Sequence, residues 1–171
     1  MTDFETIYIG SEEPDSLDAR MLCDERSAYL AAMTGKSAQQ SIAYGDLRSI
    51  RARFVLARNS MGEAMGCGAI RRQSYNVAEV RLLYVRLQYR GLEATLLSHL
   101  EGQARLLGYH VLRLCVTPAE RGASRACEAR GYRRMSVEPG NRSADRSVWF
   151  EKALGDFDTA ITPAATGLSS R

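Results

Sequence analysis

Lysine is almost missing from this chain. Of its 23 basic residues only Lys36 and Lys152 are lysines, and the rest are arginine. The arginines are spread along the sequence rather than gathered into a basic stripe with aromatic interleaving, which excludes nucleic acid as the expected partner. Histidine is as scarce, with His99 and His110 alone. The four cysteines, Cys23, Cys67, Cys115 and Cys127, form no Cys-x-x-Cys and no metal-ligand spacing. They read as free, mostly buried thiols of a reducing compartment, with no metal site. No apolar run approaches transmembrane length, so no membrane association is expected. Met1–Glu5 lacks a basic region followed by an apolar one, so no secretory signal is read and a cytoplasmic location is expected.

What is present is ordinary for a globular domain: 171 residues, 45% hydrophobic, 25% charged, net charge +3. That length fits one domain with its own core. The chain reads as a domain over 1–154 followed by a loose tail, 155–171, rich in small and polar residues without periodicity.

Alternation gives a first strand at Phe4–Ile9. Pro14, Asp15 and Ser16 signal a helix start before Leu17–Met33. Thr34–Tyr44 reads as loop, with a short helix at Asp46–Ile50. Arg53–Ala57 and Ala64–Arg71 are strands around the turn Asn59-Ser60-Met61-Gly62. Ala78–Val85 is the next strand. The helix after it shows apolar residues at Leu92, Leu96, Leu97, Leu100, Ala104 and Leu107, one buried face, and ends at Gly108. Val111–Val116 is a strand, and a helix runs from Pro118 to Arg130 before Gly131. Tyr132–Val137 and Ser147–Lys152 are the last strands. This order implies an α+β fold: a mixed, mostly antiparallel sheet with helices on both faces, and a parallel pair ending near Val85 and Val116. Those two strands are expected to splay at these ends.

Between Val85 and the following helix lies Arg86-Leu87-Gln88-Tyr89-Arg90-Gly91. A strand, a basic glycine turn and a helix N-terminus make an anion site, because unpaired N–H groups and the helix dipole point at the turn. The element order resembles the GNAT N-acetyltransferase superfamily over residues 4–154. Ala78–Val85 is similar to its fourth strand, Leu92–Tyr109 to the next helix, and Ala123–Tyr132 to the last helix with its Gly-Tyr ending. Phe150–Leu154 resembles its final strand.

The resemblance implies acetyl-coenzyme A as cosubstrate, with direct transfer of its acetyl group to a primary amine. It places the donor on Tyr84, Val85, Arg86, Gln88, Arg90, Gly91, Leu92, Glu93, Ala94 and Thr95. The backbone of Gln88–Thr95 would hold the pyrophosphate and Arg86 or Arg90 would add charge. Backbone N–H near Val85 would bind the oxyanion. Glu79, six residues before Val85, takes the place of a glutamate that deprotonates the attacking amine in several relatives; a glutamate on the solvent face of a strand is the other reading.

Two positions depart from the family pattern. The loop pattern Gln/Arg-x-x-Gly-x-Gly/Ala, started at Gln88, has Gly91 in its first glycine place and Glu93 in its second. Started at Tyr-Arg-Gly, the loop is two residues short and Glu93 still falls at the helix start. A carboxylate there stands where the pyrophosphate is expected. Anions about 4 Å apart repel by roughly 1 kcal/mol in water and about 4 kcal/mol at a partly buried site. The same residue also suits a helix first turn, and then points to solvent. Cys127 stands where many relatives carry a tyrosine that protonates the departing thiolate. Its unperturbed pKa of about 8.5 suits that role, but its reach is short, and a buried packing thiol is the alternative.

An acetyltransferase is therefore expected, with a catalytically silent ligand- or protein-binding module as the rival and a longer-chain acyl donor as a third reading. The acceptor should meet Thr34–Arg53 and Glu138–Arg146. A small amine, a peptide N-terminus and a lysine side chain all remain open, and so does a homodimer. Three features carry no function here. Thr34-Gly35-Lys36-Ser37 is similar to the end of a nucleotide-binding loop but has Leu30 in the first glycine place. His99 belongs to a helix surface. Cys67, in Gly66-Cys67-Gly68-Ala69, marks a strand that needs small residues.

Overall fold

Leu96, Leu97 and Leu100 are wholly removed from water in the computed structural model, each contributing about 1.5–3 kcal/mol of burial. They lie on the helix that the leucine spacing predicts, and they set the layer order of the domain. The structure describes residues 6–35, 44–136 and 146–155.

Among the described residues seven strands form one sheet in the order β1-β2-β3-β4-β5-β7-β6. They are β1 (Tyr8–Ser11), β2 (Arg53–Arg58), β3 (Ala64–Arg72), β4 (Val77–Val85), β5 (Val111–Val116), β6 (Arg133–Arg134) and β7 (Val148–Ala153). All neighbours are antiparallel except β4 and β5. The helices are α1 (Leu17–Thr34), α2 (Tyr44–Leu47), α3 (Glu93–Leu106) and α4 (Arg121–Ala129).

One face of the sheet packs against α1 and α2 through Ala19, Leu22, Cys23, Leu47, Phe54, Leu56 and Leu82. The other packs against α3 and α4 through Val55, Ile70, Val80, Leu83, Leu100, Ala126 and Phe150. The expected mixed sheet with helices on both faces is the architecture found. Ser16 caps α1, its hydroxyl accepting from Ala19 N–H at 3.2 Å. Gly35, at φ +66°, ends that helix in the left-handed conformation that glycine tolerates best.

Several boundaries differ from the expected ones. Of the expected first strand Phe4–Ile9, Phe4 and Glu5 lie outside the described residues; the strand found is Tyr8–Ser11, whose register follows β2, with Tyr8 opposite Arg58 and Ser11 opposite Val55. The short helix covers Tyr44–Leu47 instead of Asp46–Ile50. A 3₁₀ turn, Leu87–Tyr89, precedes α3, and Leu92 serves as its N-cap. The last helix opens at Arg121, after a turn in which Glu120 N–H donates to Thr117 O. Of the strand expected at Tyr132–Val137, Arg133 and Arg134 pair with β7 and Met135 N–H donates to Trp149 O at 2.8 Å, while Val137 lies outside the described residues. The expected tail from 156 onward, most of the Glu138–Arg146 turn, and Lys36 and Ser37 lie outside the described residues.

Two irregularities shape the centre. Ala69 pairs with Arg81 but Cys67 pairs with Tyr84, so β4 carries one extra residue there. Leu82 sits in this bulge at φ +59°, an unusual conformation for a residue with a side chain. Glycine at 66 and 68 permits close approach. A Cβ at 66 would lie 2.6 Å from Tyr84 O, and one at 68 would lie 2.8 Å from Leu100 Cδ1. Between them the Cys67 thiol donates to Leu82 O at 3.3 Å.

Candidate active site

The parallel ladder of β4 and β5 runs from Val77 opposite Val111 to Val80 opposite Leu114. Beyond it β4 continues on β3 as far as Val85, and β5 continues on β7 as far as Val116. The two central strands therefore part company in their last residues, as expected. Arg86 N–H donates to Met65 O at 3.0 Å, and Val85 lies opposite Gly66. Hydrogen-bonding direction alternates along a strand, so the Val85 N–H faces the β5 side, where β5 has separated. The Val85 side chain packs into the α3 face of the core.

On the α1 face, Tyr84 and Arg86 meet Glu25. Arg86 donates to Glu25 through Nη2 at 2.7 Å and Nε at 3.0 Å, and through Nη1 to Ala64 O at 2.9 Å. Tyr84 OH lies 3.4 Å from Glu25 Oε2, and burial with the Glu25 charge raises its pKa. The Arg86 guanidinium is thus committed to α1 and away from the α3 loop. The next residue of α1, Arg26, pairs with Glu120 at 2.8 Å, and Tyr29 OH donates to Ala119 O at 3.0 Å. Neighbouring residues of one helix so hold the ends of both separated strands. Glu120 also accepts from Thr117 N–H and Oγ1–H, at 2.9 and 3.0 Å. Glu25 and Arg26 escaped the sequence reading, which holds no signal for them. Glu120 had one: Thr-x-x-Glu is the spacing of a capping box.

In the loop itself, Gln88, Arg90, Gly91 and Thr95 are exposed, Glu93 and Ala94 half-buried and Leu92 buried. Most of its N–H groups are used internally. Those of Tyr89, Arg90 and Leu92 donate to Arg86 O, Leu87 O and Tyr89 O at 2.9, 3.4 and 3.3 Å. Gly91, at φ +99°, donates instead to Glu93 Oε2 at 2.9 Å. What is left for an anion is the first turn of α3, Glu93–Thr95, whose N–H groups have no partner within the helix.

Glu79 is buried, 6% exposed, within the paired part of β4. Its Oε2 accepts from Arg71 Nη2 and Nε at 3.1 and 3.3 Å, and its Oε1 from Arg81 Nη1 at 3.5 Å. Cys127 is wholly buried in the core between α3, α4 and the sheet. Burial, with Glu128, Glu101 and Glu120 nearby, pushes its thiol up to about 12. His99 is half-buried on α3, and burial lowers its pKa.

The sequence of residues 19–132 matches the model of the acetyltransferase (GNAT) family. A Klebsiella pneumoniae structure provisionally assigned as an acyl-CoA N-acyltransferase aligns with a TM-score of 0.71 at 26% identity, over 88% of this chain and 99% of that one. An acetyltransferase from Streptococcus agalactiae aligns at 0.70 and 15% identity, over 88% and 100%. Spermidine N-acetyltransferase from Vibrio cholerae, in complex with CoA and spermine, aligns at 0.64 and 13%, over 86% and 95%. No curated protein matches in sequence. With two thirds of its length matched and the parallel pair opening where the resemblance requires, this chain belongs to the GNAT acetyltransferase family.

Proposed function

We propose that the protein transfers an acetyl group from acetyl-coenzyme A to a primary amine without an acyl-enzyme. The observation that carries the reading is the Val85 amide, directed at the opening where β4 and β5 separate. An N–H fixed in a strand at such a place suits a developing oxyanion, since it needs no reorganisation as charge appears. The donor's thioester would lie in that opening and its diphosphate at the first turn of α3, with Gly91, Leu92, Ala94 and Thr95 around it.

The amine nitrogen attacks the thioester carbonyl, the C–S bond breaks, and the thiolate leaves. Glu79 is the proposed proton acceptor. Three donors occupy its carboxylate, which has about four lone-pair sites, so one site on Oε1 is left to take the amine proton through water. Water, rather than Cys127, returns a proton to the thiolate. Moving a proton from a thiol at about 12 to one near 8.5 costs roughly 5 kcal/mol, and the Cys127 sulfur is enclosed in the core.

The test is thiol release from acetyl-coenzyme A in the presence of a polyamine, a lysine-containing peptide or a free peptide N-terminus, with mass analysis of the amine. Release matched by an added acetyl group is expected with one of these classes. Failure to bind coenzyme A in calorimetry overturns the reading and favours a silent module. In the active protein, Glu79→Gln should lower turnover at neutral pH and leave donor affinity within about twofold.

A further inference from the structure

One carboxylate lies across the entrance of the proposed donor site. Glu93 Oε2 accepts from the Gly91 amide at 2.9 Å. Its other oxygen lies against the first turn of α4, where a Cβ at Gly122 would stand only 2.2 Å from Oε1. Glu93 therefore fills a cradle between two helices that a side chain at 122 would close. Among the described residues no cation pairs with it: Arg86 is taken by Glu25 and Ala64 O, and no arginine or lysine bridges to Glu93.

From this geometry we infer that Glu93 is a built-in occupant of the donor's phosphate position and sets donor affinity from within the site. The inference rests on the donor reading above and says how that site is regulated. Tyr89, Arg90 and Leu92 have spent their N–H groups on backbone carbonyls, so Gly91 is the amide among Tyr89–Leu92 whose partner is a movable side chain. An arriving diphosphate meets that amide already satisfied and a carboxylate that, among the described residues, makes no ion pair. The carboxylate must rotate out before the phosphate enters. Glu93 is the first residue of α3, and its backbone position need not change for the side chain to do so.

The consequence is selective. Binding of a phosphorylated donor is opposed by Glu93, whereas an acyl-pantetheine lacking the diphosphate reaches the strand opening without contesting the loop. Calorimetry of the wild type, Glu93→Ala and Glu93→Gln with acetyl-coenzyme A and with S-acetyl-pantetheine separates these effects. Both variants should bind acetyl-coenzyme A at least tenfold more tightly, the gain shrinking at high salt, and bind S-acetyl-pantetheine within about twofold of the wild type. Exchange of the Gly91 amide should also be faster in Glu93→Ala. Equal affinities for acetyl-coenzyme A in all three proteins would overturn the inference and leave the donor reading standing. An equal gain with both donors would also overturn it, showing that the side chain obstructs by bulk. Absence of coenzyme A binding in every protein would remove the donor reading and this inference together.

Discussion

Glu25 on α1 and Arg86 at the end of β4 face each other in a two-point ion pair, 2.7 and 3.0 Å, with the Tyr84 hydroxyl at its edge. The pair fixes the strand end to α1 at the place where β4 leaves β5. Glu25→Gln keeps the shape and removes the charge. It should cost about 1 kcal/mol, since both partners are partly exposed, as read in urea unfolding. The Tyr84 pKa, raised by burial and then by the Glu25 charge, should fall but stay above its ordinary value of about 10, as followed in ring-labelled NMR spectra.

Cys127→Ala should leave turnover within a few-fold of the wild type, if the thiol packs and does not react. Its raised pKa has a second consequence. The stability it contributes is fully present below the unfolded-state value near 8.5 and is lost as pH rises through about 12. Between pH 7.5 and 10 the wild type should lose roughly 2 kcal/mol through this one group, a loss missing from the alanine variant. Denaturant titrations of both proteins at the two pH values check it. A hundredfold fall in turnover with folding intact would make the thiol catalytic.

Glu151 on β7 joins β5 to β6 through Arg113 and Arg133, and its carboxyl is held below the usual range, chiefly by the Arg133 guanidinium. Its stabilisation is present above the unfolded value of about 4.3 and disappears as pH falls through the lowered native one. Arg133 is largely exposed, so the contribution is about 0.5–1 kcal/mol. Glu151→Gln should therefore narrow the difference in melting temperature between pH 6 and pH 3.

Glycine-to-alanine changes at 66 and 122 should have opposite outcomes. At 66 the new methyl meets the Tyr84 carbonyl at 2.6 Å, which is backbone and has nowhere to go. A cost of about 1–3 kcal/mol is expected, with a disturbed strand end and weaker donor binding. At 122 the obstacle is the far end of the Glu93 side chain, and alanine favours a helix by up to about 1 kcal/mol. Thermal melts should show Gly122→Ala neutral or more stable, while Gly91 amide exchange accelerates as Glu93 is pushed off.

The strand Val111–Val116 was legible end to end in the sequence, and α1 to within a residue, because each presents an apolar pattern with clear punctuation. The 3₁₀ turn was not, since Leu92 suits a helical stripe whether its N–H enters the helix or bonds Tyr89 O. In the site, the family resemblance led to Glu79 and Glu93 as residues to weigh but not to their surroundings. Arg71, which engages Glu79, comes from another strand, and Gly122, which seats Glu93, comes from another helix. Cross-element contacts of that kind leave no periodicity to read. The same limit applies to the loop amides, whose use depends on how tightly the turn is wound.

The bulge at Leu82 has a bearing on how this strand is counted. Glu79 and Val85 are six residues apart, an even number that in a regular strand would put them on one side of the sheet. Here Glu79 lies with Arg71 and Arg81 on the α1 and α2 side, while Val85 packs under α3. Arg81 and Leu82, though adjacent, both turn toward α1 and α2. The extra residue is thus neutral in phase: with Leu82 deleted, Leu83, Tyr84 and Val85 would keep their sides and their β3 partners. Such a deletion would remove the bend that the bulge puts into β4 without turning the core inside out. The inserted residue therefore lends β4 no reach: it bends the strand just past Val80, where the ladder with β5 ends, while every other side chain keeps its place.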